Sequence, residues 1–229
     1  QMFDGTMQIN ASAYLYEYEG IALQFRENGG IFGPGTSVTN GPDVQTIGFE
    51  GDLLWLATDN LTIGGTYSYT DTTYQSNSDA LIVDNSNPFA PVGVFTEAEL
   101  EVNIDGESVP RIPKHKATLW AEYTLNLGDN GKVVFLSSLN WTDEFAARGS
   151  PRPETPLTVA PAYTRWDARV TWNSADEQWG VSGFVNNILD DVGVRNMNVE
   201  DQNQNFRYTV EPSNPRMAGL EIQYKFGAF

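Results

Sequence analysis

The feature that most limits how this chain can fold is a two-residue alternation of apolar and polar side chains, sustained over unusually long stretches. In "NLTIGGTYSYT", Leu61, Ile63, Gly65, Tyr67 and Tyr69 fall on one side, and Thr62, Gly64, Thr66, Ser68 and Thr70 on the other. "KATLWAEYTLN" sets Ala117, Leu119, Ala121, Tyr123 and Leu125 against Lys116, Thr118, Glu122 and Thr124; "YTRWDARVTW" sets Trp166, Ala168, Val170 and Trp172 against Arg165, Asp167, Arg169 and Thr171. A period of two places successive side chains on opposite faces of a β-strand. Eight such segments occur, at about 8–25, 45–57, 60–71, 115–127, 132–143, 163–173, 178–189 and 215–228. Most reach ten residues or more, whereas strands of soluble proteins run to about five or six and a tilted strand crossing a hydrocarbon layer needs about nine to eleven. No run of about 18 apolar residues exists, so a spanning helix is excluded while a spanning barrel is not.

The connections strengthen the barrel reading. "TDN" (58–60), "GDNG" (128–131) and "NSADE" (173–177) are short and rich in turn-forming residues; between them lie long connections near 26–44, 72–114, 144–162 and 190–214. Strict alternation of long and short puts every long loop at one end of the sheet, as in outer-membrane barrels. Aromatic residues fall near the expected strand ends: Tyr14, Tyr16, Tyr18, Trp55, Tyr67, Tyr69, Trp141, Trp166, Trp172, Trp179, Tyr224 and Phe226. They read either as the girdles that mark the two membrane interfaces or as the ordinary enrichment of aromatics in strands.

Composition removes other classes. The formal net charge of −17 opposes a surface built to neutralise phosphates, so nucleic acid is not an expected partner. Without cysteine there are no disulfides, thiolate metal sites or cysteine nucleophiles. The only histidine, His115 in "PKHK", lacks a second histidine for a metal pair and reads as a barrel-rim residue. "FGPGTS" (32–37) has no lysine and is no phosphate loop; "RGSPRP" (148–153) does not match a nucleophile elbow. No catalytic, metal or cofactor residue is therefore expected, and the chain is not read as an enzyme. Asp79, Asp84, Glu97, Glu99, Glu101, Asp105 and Glu107 make 72–114 acidic, which reads as a solvated run or as carboxylates for divalent cations bridging lipopolysaccharide. Arg148, Arg152, Arg195 and Arg207 occupy the other long loops, available either to an anionic ligand or to neighbouring acids. Glu50, Asp52, Thr118, Glu122, Asp167 and Arg169 are expected to line a lumen.

Several segments together resemble the C-terminal part of a TonB-dependent outer-membrane receptor barrel. They are "INASAYLYEYEGIALQ", "TIGFEGDLLWLATDNLTIGGTYSYTDTTY", "VPRIPKHKATLWAEYTL", "AYTRWDARVTWNSADEQWGVSGFVNNILDD" and "NPRMAGLEIQYKF". The resemblance implies an all-β transmembrane antiparallel barrel of which residues 1–229 would supply the last eight of 22 strands, with neither plug domain nor TonB-contact segment in this sequence. It further implies uptake of a scarce nutrient such as a ferric siderophore, haem, cobalamin or glycan across the outer membrane of a Gram-negative bacterium. The implied partners are the remainder of the barrel and its plug, TonB with ExbB and ExbD, lipopolysaccharide, the barrel-assembly machinery and a small-molecule nutrient. In the ending "GLEIQYKFGAF", Leu220, Ile222, Tyr224 and Phe226 form the expected assembly-signal strand, with Phe226 as the terminal aromatic and Phe229 three positions on, out of phase unless Gly227 is a bulge. Two rivals remain at this stage: a self-contained eight-stranded barrel of structural or adhesive role, and a soluble carbohydrate-binding β-sandwich using loop aromatics such as Tyr74 and Phe89.

Overall fold

The computed structural model describes residues 5–27, 35–75, 82–83, 101–102, 105–146, 159–199 and 208–227. Eight long strands form one antiparallel sheet: β1 (Met7–Tyr18), β2 (Asp43–Thr58), β3 (Leu61–Gln75), β4 (His115–Asn126), β5 (Lys132–Thr142), β6 (Tyr163–Asn173), β7 (Trp179–Asn186) and β8 (Met217–Tyr224). Each strand hydrogen-bonds to its neighbours in sequence, giving a simple up-and-down meander from β1 to β8. A single sheet of this kind is not a sandwich. Neither β1 nor β8 has a partner on its outer edge among the described residues.

The short connections close by local chemistry. At 58–61 the Thr58 hydroxyl accepts the Asn60 amide at 3.2 Å. At 128–130 the backbone makes a single 3-10 turn, with Gly128 and Gly131 at φ 60° and 90°, and the Leu127 amide bonds the Gly131 carbonyl at 2.8 Å. A Cβ at Gly131 would overlap the Asn173 carbonyl of the neighbouring turn, so both the dihedral and the space require glycine. At 173–179, Ser174 donates to the Asp176 carboxylate, which also accepts the Gln178 amide, while Glu177 pairs with Lys132 at 2.8 Å. All three short turns lie at one end.

At the other end, each long connection leaves the sheet through a two-stranded ribbon: Ala22–Glu27 with Gly35–Asn40, Ile82–Val83 with Glu101–Val102, Phe145–Ala146 with Val159–Ala160, and Val194–Val199 with Tyr208–Pro212. Four boundaries differ from the sequence reading. The first segment stops at Tyr18, because Gly20 turns into the left-handed region at φ 61° and the chain resumes in a separate ribbon. The third runs on to Gln75, because the returning chain pairs with it: the Tyr74 amide bonds Glu107 O and the Val109 amide bonds Thr72 O. The seventh stops at Asn186 and the last at Tyr224. Tyr74 is 6% exposed, packed with Val44, Ile21 and Val109, and so is no exposed loop aromatic; Phe89 lies outside the described residues.

The seventh strand ends early because Asn187 turns the chain at φ 54° and becomes a hub that is 1% exposed. Its amide donates to the Asp167 carboxylate at 2.7 Å. Its side-chain nitrogen donates to the carbonyls of Asp191 and Asn214 at 3.0 and 3.1 Å, and its side-chain oxygen accepts the Asp191 amide at 3.2 Å. Asp191 in turn accepts the Thr164 amide, and Asp190, also left-handed at φ 56°, accepts the Arg216 amide. "NNILDD" thus ties together the upper ends of β6, β7 and β8.

Two outcomes follow from these turns. Asn187→Ala should strip the carbonyls of Asp191 and Asn214 of the buried side-chain amide that they share and strain the left-handed backbone, costing about 2–4 kcal/mol. Asn187→Gly should lose less, because glycine keeps the dihedral; the midpoint of heat-modifiable electrophoretic mobility of the native protein measures both. In the 173–179 turn, the Ser174 hydroxyl and the Gln178 amide hold the Asp176 carboxyl below its ordinary value of 3.8. A depressed folded-state value means that the bonds support the turn above about pH 3.8 and are lost as the pH falls through the depressed value. The protection factor of the Gln178 amide should therefore hold at about pH 5 and fall only in stronger acid, and Asp176→Asn should remove that fall.

Candidate functional site

The strand register sorts the side chains into two faces across the whole sheet. In one row, Ile9, Leu53, Gly65, Leu119, Leu139 and Trp166 lie on one face; the rows above and below add Phe49, Ile63, Ala117, Ala121, Phe135, Val170, Val181, Val185, Ala218, Leu220 and Ile222. This face is continuous and apolar, and it is turned outward: Leu119 is 54% exposed, Leu220 85% and Ile222 71%. The clusters of buried apolar residues are small and sit at the bases of the long connections, around Val44 with Tyr74 and around Ala160. A sheet that shows its greasiest surface to the outside and keeps so little core is made for lipid.

Aromatic rings bound this band. Near the long connections Tyr67, Tyr69, His115 and Trp141 cluster, with ring centroids 5.1–6.4 Å from His115 and the Tyr67 hydroxyl 2.8 Å from His115 Nδ1. Near the short turns stand Trp55, Tyr123, Trp172, Trp179 and Tyr224; Trp172 donates its indole N–H to the Asn130 carbonyl and Tyr224 its hydroxyl to Gln178. On β4, His115 and Tyr123 are eight residues apart, about 26 Å along the strand at ~3.3 Å per residue, or about 20 Å of height at a ~40° tilt. Trp166 falls between the two belts, its indole donating to Ser137 at 2.8 Å. His115 is thus a rim residue set among rings, and no group of three or more metal-binding side chains exists among the described residues.

The expectation for Tyr14, Tyr16 and Tyr18 is overturned. They share the polar face with Asn10 and Ser12, because the Tyr14 hydroxyl lies 3.4 Å from Glu50 and 3.3 Å from Thr70. That face gathers all six expected luminal residues. Asn10 donates to Asp52 at 2.8 Å and Thr118 to Asn140 at 3.0 Å. Arg169 pairs with Glu221 at 2.6 Å and lies over the Phe184 ring at 5.6 Å, while Arg165 pairs with Asp167 at 3.0 Å. Between β1 and β4 the face hollows into a depression of about 450 Å³ lined by Asn10, Ser12, Glu50, Asp52, Lys116 and Thr118. Three large rings reach across this wall, each over a glycine of the adjacent strand: Tyr14 over Gly48, Trp120 over Gly64 and Phe184 over Gly219, where any Cβ would overlap the ring. Trp120 escaped notice in the sequence because it stands at a polar position of its strand. Its only signal was the glycine across the ladder.

Of the loop arginines, Arg195 sits 3.9 Å from Glu211, both exposed, whereas Arg148, Arg152 and Arg207 lie outside the described residues. So do Asp79, Asp84, Glu97 and Glu99 of the acidic run. At the C-terminal end, Leu220, Ile222 and Tyr224 lie on the apolar face of β8. Phe226 follows the strand, 87% exposed and edge-on to Tyr224 at 4.6 Å. Gly227 takes φ 127°, a conformation that suits glycine alone, and Phe229 lies outside the described residues.

The family model described as TonB dependent receptor-like, beta-barrel matches residues 1–188. Among solved structures, the chain is similar to the ferric yersiniabactin uptake receptor FyuA from Yersinia pestis, at TM-score 0.72 and 12% identity over 97% of this chain and 28% of that one. It is also similar to the siderophore receptor PiuA from Acinetobacter baumannii (TM-score 0.66, 18% identity, 98% of this chain, 27% of that one). The copper transporter OprC is similar too (TM-score 0.62, 16% identity, 97% of this chain, 29% of that one). The chain therefore spans little more than a quarter of the length of these structures. No curated protein matches it. With the family match over most of its length and a sheet that is apolar outside and polar inside, the chain belongs to the TonB dependent receptor-like β-barrel family.

Proposed function

We propose that this chain is the C-terminal portion of the barrel of a TonB-dependent receptor in the outer membrane of a Gram-negative bacterium, eight of 22 strands, serving uptake of a scarce nutrient. The observation that carries this reading is the pairing of one unbroken apolar outer face with long connections confined to one end. Ferric siderophores, haem, cobalamin and glycans are the cargo classes that the family implies. The ribbons at the long-connection end would help capture cargo outside the cell, and the polar face would meet a plug domain or water. TonB with ExbB and ExbD would supply energy, and lipopolysaccharide would surround the outer rim. The unpaired edges of β1 and β8 favour a larger barrel over a self-contained eight-stranded one, because backbone groups left without partners in lipid cost several kcal/mol each. The family match favours a transporter rather than an enzyme.

Single cysteines in the full-length protein in cells test the orientation. Those replacing Leu119 or Ile222 should resist a water-soluble maleimide and react with a lipid-soluble one, and those replacing Thr118 or Asp52 should show the reverse preference. Uptake of the cargo should vanish in cells lacking TonB; uptake that persists there would overturn the transport reading. The closing strand, with Leu220, Ile222, Tyr224 and Phe226, would carry the signal read by the assembly machinery. Phe226→Ser should reduce the amount of folded protein in the outer membrane severalfold, and more than Phe229→Ser; equal or reversed effects would shift the signal to Phe229.

A further inference from the structure

Resting on that reading of the chain as receptor wall, we propose that Tyr14, Tyr16 and Tyr18 form a stacking track for an uncharged saccharide on the luminal wall below the long connections. The three rings stand on alternate residues of β1, with centroids 5.0 and 6.3 Å apart, so they make one continuous column rising toward the loop end. The Tyr14 ring reaches across Gly48, whose missing side chain leaves room for its Cε2, Cζ and Oη, and its hydroxyl lies 3.3 Å from Thr70 on the next strand. Tyr16 and Tyr18 are 51% and 52% exposed. Apolar ring faces displayed in an otherwise polar wall are the surface on which the C–H faces of sugars stack.

The flanking chemistry selects the class of ligand. The rows crossing the column are Tyr14–Gly48–Thr70, Tyr16–Thr46–Thr72 and Tyr18–Val44–Tyr74. Their polar groups are hydroxyls alone: Thr46 and Thr72 lie 3.1 Å apart and Tyr14 reaches Thr70. Hydroxyls both donate and accept, which matches a polyhydroxylated ligand. These rows contain no lysine, arginine or histidine, and the row below brings the Glu50 carboxylate to within 3.4 Å of the Tyr14 hydroxyl. Among the described residues, an anionic ferric complex would meet no cation within these rows and would face a carboxylate. Among the described residues the nearest cations are engaged or set apart: Lys114, across the ladder from Thr70, pairs with Asp71 at 2.9 Å, Lys116 lies one strand further on in the row below, and Arg165 and Arg169 are engaged by Asp167 and Glu221.

The test uses the full-length receptor purified in a non-saccharide detergent, with maltohexaose, cellohexaose, chitohexaose and ferric citrate as calorimetric titrants. At least one hexasaccharide should bind saturably. Tyr16→Ala and Tyr18→Ala should each weaken that binding tenfold or more, while Tyr16→Phe, which keeps the ring, should stay within threefold; all variants should keep the wild-type heat-modifiable mobility. Binding of none of the three sugars, or unchanged binding by both alanine variants, would overturn the proposal. So would a cysteine at position 16 that a water-soluble maleimide cannot reach in the intact receptor, since the column would then be covered by other protein. TonB-dependent uptake measured in the same strains separates the two readings: its retention with no saccharide binding would leave the transport role standing and remove the track.

Discussion

Everything in this structure depends on the obligation of backbone N–H and C=O groups to find partners where no water can supply them. A hydrocarbon layer turns that obligation into an architecture: each strand must be paired along its length, and the pairing must continue until the sheet meets itself. The eight strands satisfy it internally over seven consecutive ladders and pass it on at β1 and β8. The same obligation explains why irregular backbone begins beyond the band. At the top of β7 the left-handed turn at Asn187 is tolerable because its freed carbonyls meet the buried side-chain amide, with hydrogen bonds reaching across to β6 and β8.

Once the ladder is fixed, a period of two separates the two solvents of the wall. Outside, packing energy comes from lipid and not from a protein core, which is why residues such as Leu15 and Ile47 can remain about half exposed without cost. Inside, polar side chains settle one another across neighbouring strands, as Arg169 does with Glu221 and Asn10 with Asp52. The two surfaces are chemically independent. A substitution on one leaves the chemistry of the other unchanged.

Strand number, pairing order and the side on which the long connections emerge were legible in the sequence, because alternation and turn residues are local signals. The six polar residues assigned to the lumen follow from the same phase. Aromatic residues were less legible, since a tyrosine at a strand end satisfies a girdle and a lumen equally well by position. Phase decides, and in "YLYEY" tyrosine and its neighbours gave no clear polar side; only Asn10 and Ser12, earlier in the strand, carry it. Strand ends were the other weak point, because Asn187 and Gly20 act through left-handed dihedrals that the flanking alternation conceals. The pairing of Tyr14, Trp120 and Phe184 with glycines is a cross-strand property and has no signature within any one segment.

Those three pairings bear on the width of the passage. A large ring standing on a strand would project into the lumen by most of its own length. Reaching across the gap left by a glycine on the adjacent strand, it stays close to the wall. The wall can therefore carry indole, phenol and phenyl groups without narrowing the bore. Replacing Gly48, Gly64 or Gly219 by alanine would act like a wedge, lifting a ring off the wall at a point where no charge has changed.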